Sequence, residues 1–596
     1  MLKKRSSSSK LALIWLVVVV FFSGLLAKQF LFSAVSPIET NILKLLPENR
    51  QNPISEQAFQ QVADNMSNQV VFVVSNPDAK QAITAAKSFE SKLNKLSLFN
   101  EIQGKISKDK QSKWAEFYFN HRAQLLTKAQ IDELTTQPQN RVQYVLQSLY
   151  NPFLGVTSSE LDQDPFLLFR DFLADLTSKS GNFNLVDGYL TTTKSETTHV
   201  LITGELKGSP YQLSSQRQLP KLIDIENEVT TQYGGDIIHT GVIFYADYGT
   251  QSAKSEVSTI GLGSLIGVVL LILIVFRSAL PLSLAILSIS SGLLVALAAT
   301  IAIFGKVHLF SLVFGASLIG VSIDYAFHYL TDRLAAGKHW NSQQGLKHIF
   351  IAITLGLVTS LIGYLGLLIA PFPGLQQLAL FSAIGLFSAY ASVVCWYPIL
   401  AQSPSQSASM PAEKLWEKWL SLWKKPKFTI SLPLLVLLLG VLGLSQATYD
   451  DDIRQLQAMP QSLKNQETKI AELSGVSNSQ QMLLLTADSE QKLLEKLTLT
   501  TDQLQLLANQ KIVTGHQSID QYLPTIERQQ LNYRLLTKLY QDQGPALQST
   551  LGWQRTPSLT DFNPISVESF LASQVSEPIR FLWLEQINNQ YASVIM

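Results

Sequence analysis

The stretch GVSIDYAFHYLTDR, Gly320 to Arg333, sets an aspartate, a tyrosine and a histidine at the end of a long apolar run. Asp324 is the residue that asks for an explanation. A carboxylate at the centre of a membrane helix is unfavourable by about 2.5–3.5 kcal/mol on insertion scales. Ser317, Gly320, Asp324 and His328 fall on one stripe of a helix. Desolvation favours the neutral acid, so a carboxyl group here can take up and release a proton near neutral pH. The C-terminal end of a helix disfavours negative charge and works the same way. One charge moved across 100 mV is worth ~2.3 kcal/mol, so even one proton can bias a conformational cycle. The chemistry read from these residues is proton carriage by Asp324, with His328 as a relay toward the inner surface. The competing reading is a wetted helix end with an interfacial histidine.

The elements that must position this stripe are membrane spans. Of 596 residues, 46% are hydrophobic and only 15% charged, with the apolar residues clustered, as in membrane proteins. Spans are expected at Leu11–Phe32, Ile260–Phe276, Leu280–Phe304, Leu309–Leu330, Ile349–Ala370, Leu378–Leu400 and Thr429–Leu444. The first, preceded by Lys3, Lys4, Arg5 and Lys10, reads as an uncleaved span rather than a signal peptide. Small residues, Ser317 and Gly320 on the fourth span and Gly263 and Gly267 on the second, permit close approach of a neighbouring helix.

Basic residues orient the chain. With the N-terminus inside, the inner loops hold Arg277, then Arg333, Lys338 and Lys347, then Lys414 to Lys427. The short outer loops hold Lys306 and no charge at all in APFPG. Two large polar segments then lie outside, in the periplasm of a Gram-negative cell. In the last inner loop Trp416, Trp419, Leu420 and Trp423 share one helical face among lysines, the pattern of an interfacial anchor lying on the inner leaflet. The expected organisation is a tail and first span over 1–32 and an outer domain over 33–255. A bundle of spans two to six follows over 256–402, an amphipathic linker over 403–427, the seventh span over 428–446 and a second outer domain over 447–596.

The outer segments resemble each other. NILKL at Asn41 matches DIRQL at Asp452, SNQVVFVVS at Ser67 matches SQQMLLLT at Ser479, and FRDFLADL at Phe169 matches VESFLASQ at Val567. Three matches in one order argue for a duplication. Each segment mixes strand and helix patterns, as in split βαβ subdomains. In the first, VVFVV (Val70–Val74) and WAEFYF (Trp114–Phe119) read as strands, GYLTTT and HVLITGEL as a hairpin, Leu219–Tyr233 as a helix and IIHTGVIFY as a strand. Phe166, Phe169, Phe172 and Leu173 form an apolar stripe, either a core face or a route for a greasy substrate. The second unit is expected to be incomplete, its YASVIM end matching HVLITG, so that the chain reads as about three quarters of a two-unit transporter.

The span order, the duplicated outer domain and GVSIDYAFHYL together resemble the resistance–nodulation–division (RND) superfamily, most closely its MMPL-like predicted exporters, associated with lipids and aryl-polyene pigments. The resemblance implies a polytopic helical protein with two porter-like α/β domains outside the membrane, working by proton antiport. It gives Asp324 the proton-carrying role with Tyr325 beside it. It also implies a matching polar group on a tenth span, which a separate polypeptide supplying spans eight to twelve would provide. The expected partners are the bilayer, a hydrophobic or lipid-like substrate and a possible second copy of the chain. The expected location is the bacterial inner membrane.

Other classes find less support. Net charge is +1, which gives no reason to expect nucleic acid. Cys395 is the sole cysteine, so no intrachain disulfide forms. No phosphate-binding Gly-rich loop, no HExxH and no GxSxG occurs. Neither an enzyme nor a cofactor or metal site is therefore expected. A non-transporting remnant or half of a split transporter, and a SecD/SecF-like translocation accessory, remain as alternatives.

Overall fold

The computed structural model describes residues 7–32, 36–45, 52–151, 155–178, 182–316, 318–405, 413–444, 459–475, 481–513 and 515–596. Ser317, the DIRQL motif at Asp452 and the basic residues of the first six positions lie outside the described residues. By contacts the chain divides into two compact units, Met1–Glu48 with Tyr245–Met459 and Asn49–Phe244 with Pro460–Met596.

Along the chain, α1 (Ser7–Leu31) and the short strand β1 (Ile38–Glu39) come first. Then follow α2 (Pro53–Ser67), β2 (Gln69–Asn76), α3 (Ala79–Leu93), β3 (Phe99–Gln103) and α4 (Lys108–Asn120). A helical insert has α5 (Lys128–Thr136), α6 (Asn140–Tyr150), α7 (Ser158–Gln163) and α8 (Leu168–Ser178). The first stretch closes with β4 (Asn184–Val186), β5 (Tyr189–Lys194), β6 (Thr197–Leu206), α9 (Leu213–Gln216), α10 (Leu219–Tyr233) and β7 (Asp236–Gly241). Side-chain caps start many of these helices: Asp78 for α3, Ser107 for α4, and a reciprocal Thr127–Gln130 box for α5.

Trp114–Phe119 is helical, not a strand. Alternation over six residues misled, because Ser107 caps a helix in which Trp114, Phe117 and Tyr118 lie close together on one side and pack into the core. The strand expected through IIHTGVIFY stops at Gly241, and Val242 begins a helix. Gly241 has φ +153°, and a Cβ there would come within 3.0 Å of the Gln69 carbonyl.

The membrane block has α11 (Val242–Phe276), α12 (Ala279–Phe304), β8 (Val307–His308), α13 (Leu309–Ala316), α14 (Leu318–Ala336), α15 (Ser342–Gly366), α16 (Pro373–Leu400), α17 (Glu413–Trp423) and α18 (Pro426–Leu444). Six described helices are long and apolar enough to cross a bilayer. The expected fourth span is not among them. It runs as α13 and α14 on either side of Ser317, and α14 carries Asp324, Asp332 and Arg333.

Within this unit the core joins α11, α12, α14, α15 and α16. Small and hydroxylated residues let α12 and α16 meet closely: a Cβ on Gly292 would lie 3.0 Å from the Gly385 carbonyl. Ser288 Oγ donates to Ala389 O at 3.0 Å, Tyr397 OH to Leu284 O at 2.8 Å, and Trp15 Nε1 of α1 to Ser392 Oγ at 2.9 Å. Such bonds matter where no water competes for the donors. At one end β1 pairs in parallel with β8.

The last stretch has α19 (Gln461–Ser474), β9 (Leu483–Ala487), α20 (Glu490–Asn509), α21 (Ile526–Leu551), α22 (Val567–Ala572), β10 (Trp583–Ile587) and β11 (Gln590–Ile595). In the second unit the first sheet runs β4-β5-β6-β2-β7, with β3 also on β6. The other runs β10-β11-β9. The two share a plan. β2 pairs antiparallel with β6 as β9 does with β11, and α3 follows β2 as α20 follows β9. Both hairpins turn through two residues with positive φ, Ser195–Glu196 and Asn588–Asn589, the geometry favoured between twisted strands.

The repeats exchange helices. α2 of the first puts Ala58 and Val62 into the core under β9, β10 and β11. α19 of the second sets Ile470 and Leu473 against Val73 and Ile238 of the first sheet. Gln466 Oε1 there accepts the His239 backbone N–H at 2.9 Å. α21 likewise completes a helical core with α5, α6 and residues leading into α8.

Candidate functional sites

The buried side of α14 repeats every three to four residues: Ile323, Tyr325 and Ala326, Tyr329 and Leu330, Arg333 and Leu334. Polar bonds at its far end fix its rotation. Tyr329 OH donates to Ser342 O at 2.9 Å, and Ser342 Oγ to Pro398 O at 2.8 Å. Arg333 Nε donates to Ser403 O at 3.0 Å, and Trp340 Nε1 to Ala401 O at 2.7 Å. Locked this way, α14 presents Gly320, Asp324 and His328 on its exposed face. No hydrogen bond to Asp324 forms among the described residues.

Tyr325 turns inward instead of toward the carboxylate. Its ring meets Tyr390 edge-on at 5.8 Å, and Tyr390 OH bonds Thr354 Oγ1 at 2.7 Å. Adjacent helical residues diverge by about 100°, so a neighbour in sequence is not a neighbour on the surface. A Cβ added at Gly263, Gly267 or Gly320 would meet nothing within 4 Å among the described residues. The close helix approach seen in the structure is at Gly292, which the spacing of small residues did not single out. Trp416, Trp419 and Trp423 on α17 are exposed, and the last two meet Phe428 of α18 edge-on at 6.2 and 5.5 Å. A pair that the sequence did not bring together stands beyond His328: Asp332 Oδ1 and His348 Nδ1 lie 2.8 Å apart.

In the other unit a cleft of about 450 Å³ opens beside α8, with Phe119, Phe169 and Leu173 as apolar lining and Thr157, Glu160 and Arg170 as polar lining. Arg122 sits 4.0 Å over the Phe119 ring. The start of α8 is held by two charged groups. Leu167, fully buried, has φ +53°, a conformation unfavourable for a branched side chain. Arg141, only 3% exposed, clasps it: Nε donates to Phe166 O at 2.7 Å, and Nη2 to Leu167 O and Asp171 Oδ2 at 2.6 Å. Asp164 Oδ2 accepts the Phe169 N–H at 2.8 Å, capping the helix. Burial pushes the Asp164 carboxyl above its ordinary range, while the N–H groups of Phe169, Leu168 and Arg170 and the Arg141 charge oppose the shift.

The expected phenylalanine stripe is divided. Phe166 packs edge-on against Tyr540 at 4.9 Å, and Phe169 stacks on Phe172 at 6.3 Å. Phe169 and Leu173 reach the cleft. The sequence signals for Arg141 and Asp164 are faint, since both act through backbone groups brought near by the fold.

Six described helices long and apolar enough to span a bilayer, joined to mixed α/β structure, are the make-up of a polytopic membrane protein. The chain belongs to the MMPL family, whose model it matches over residues 120–431 and whose members are RND-type membrane transporters. A comparison with curated proteins finds no match.

Proposed function

We propose that the protein exports a hydrophobic or lipid-linked molecule across the bacterial inner membrane, driven by proton uptake and release at Asp324. The observation that carries the reading is an acid on the exposed face of α14 with no hydrogen-bond partner among the described residues, in a helix whose other face is held by Tyr329 and Arg333 bonding backbone carbonyls. A carboxylate kept for structure would be capped or paired. The cleft beside α8 suits an amphiphile, with aromatic rings for an apolar chain and Arg170 and Glu160 for a polar head. His328 relays the proton, Tyr325 fixes the helix through Tyr390, and the α17 tryptophans anchor the inner leaflet.

The test uses proteoliposomes with a pH gradient and a fluorescent phospholipid analogue. Wild-type protein should couple lipid movement to proton flux, and Asp324→Asn should lose both while inserting normally. Equal flux in the two proteins would overturn the reading. For topology, alkaline phosphatase fused after Ser180 or Thr500 should be active, and a cytoplasmic signal at either position would contradict the proposed orientation.

A further inference from the structure

We infer that Asp332 and His348 form the inner mouth of the proton path, passing protons between His328 and cytoplasmic water. The inference rests on the proton role of Asp324. On α14, Asp324, His328 and Asp332 follow one another at intervals of four residues. Each interval is about 6 Å along the axis, a gap that one water bridges. The line does not end at Asp332. Its Oδ1 meets His348 Nδ1 of α15 at 2.8 Å, and the His348 side chain is 77% exposed against 22% for Asp332. The order therefore runs from the apolar part of the helix to a half-buried acid and then to a histidine standing in solvent.

Gly345 makes the crossing possible. A Cβ there would lie 3.3 Å from Asp332 Oδ2 and overlap the Trp340 ring, so a side chain at this position would push α14 and α15 apart. The surrounding charges do not occupy the pair. Arg333 is turned onto the Ser403 and Pro404 carbonyls, and Tyr329 donates to Ser342 O. Lys347, next to His348 in sequence, is exposed. A proton leaving Asp324 binds a ring nitrogen of His328, leaves from the other toward Asp332, and is taken by His348, which gives it to water. His328, Asp332 and His348 each gain and lose one proton, and Asp324 is left as the carboxylate.

The test follows protonation of Asp324 directly. The full chain in liposomes is given a pH jump, and the carboxylic-acid C=O band missing from Asp324→Asn is timed by infrared spectroscopy. In His348→Gln and Asp332→Asn the band should rise more slowly, on the order of 10-fold, to the same final amplitude. Imidazole buffer should restore the rate in His348→Ala, which a purely structural role would not allow. An unchanged rise in His348→Gln, or no rescue by imidazole, overturns the relay and leaves the Asp324 reading standing. Absence of the band in wild-type protein overturns that reading and the relay with it.

Discussion

Asp164 in the outer unit and Asp324 in the membrane unit are both carboxylates among apolar side chains, and their surroundings are opposite. Asp164 is buried, accepts the Phe169 N–H in the first turn of α8 and lies near Arg141. Fixed donors offset part of its burial, and it holds a strained turn in place. Asp324 is exposed on its helix, and no hydrogen bond to it forms among the described residues. Residue type and apolar context alone do not separate a structural acid from a working one. The presence or absence of fixed donors is the difference the structure adds.

The contrast breaks most sharply at Asp324. Asp324→Asn should reduce proton-coupled flux by about 100-fold or more, the scale of a lost proton-transfer group. Its thermal unfolding should match wild type, and Asp324→Glu should keep part of the flux. The reverse pattern is expected at the α8 turn. Arg141→Met leaves Asp171 and two buried carbonyls without their donor and should destabilise the outer unit by about 3–5 kcal/mol, measured by denaturant unfolding. Asp164→Ala should cost about 1–3 kcal/mol in the same measurement through the lost cap.

The sign of the pH effect at Asp164 sharpens the comparison further. Its folded carboxyl titrates above the ordinary value of 3.8, so the folded state holds the proton longer than the unfolded chain. Stability from this group is therefore present below that value and is lost as pH rises through it to the folded value. Asp164→Asn should flatten that part of the stability profile, and an unchanged slope would show that other acids dominate it. The smallest effect is expected at Tyr325→Phe. The hydroxyl is not bonded to Asp324 and the ring contact with Tyr390 survives, so flux should fall no more than a few-fold, and a larger loss would bring Tyr325 into the proton path.

Hydropathy made six of the spans legible, since a run of about 20 apolar residues has few other uses. The β5–β6 hairpin and α10 were also readable, because their patterns are local. The α4 segment was not, because the deciding residue, Ser107, precedes the pattern by a full two turns. The direction of the Tyr325 ring was not legible, because it depends on the rotation of α14, which Ser342 and Ser403 help to set from afar. His348 was invisible for the same reason: its partner lies across a helical turn and an interhelical loop.

The exchange of α2 and α19 also has a consequence in time. α2 must wait for β10 and β11 before Ala58 and Val62 are covered, and those strands are made long after it. At ~5–20 residues per second, the roughly 500 intervening residues take about 25 to 100 s to synthesise. During that interval the first sheet and its helices stand with a bare helix face and, until α19 emerges, a bare sheet face as well. Its assembly is thus paced by the ribosome, and whatever shields those faces must do so for far longer than a helix or hairpin takes to form.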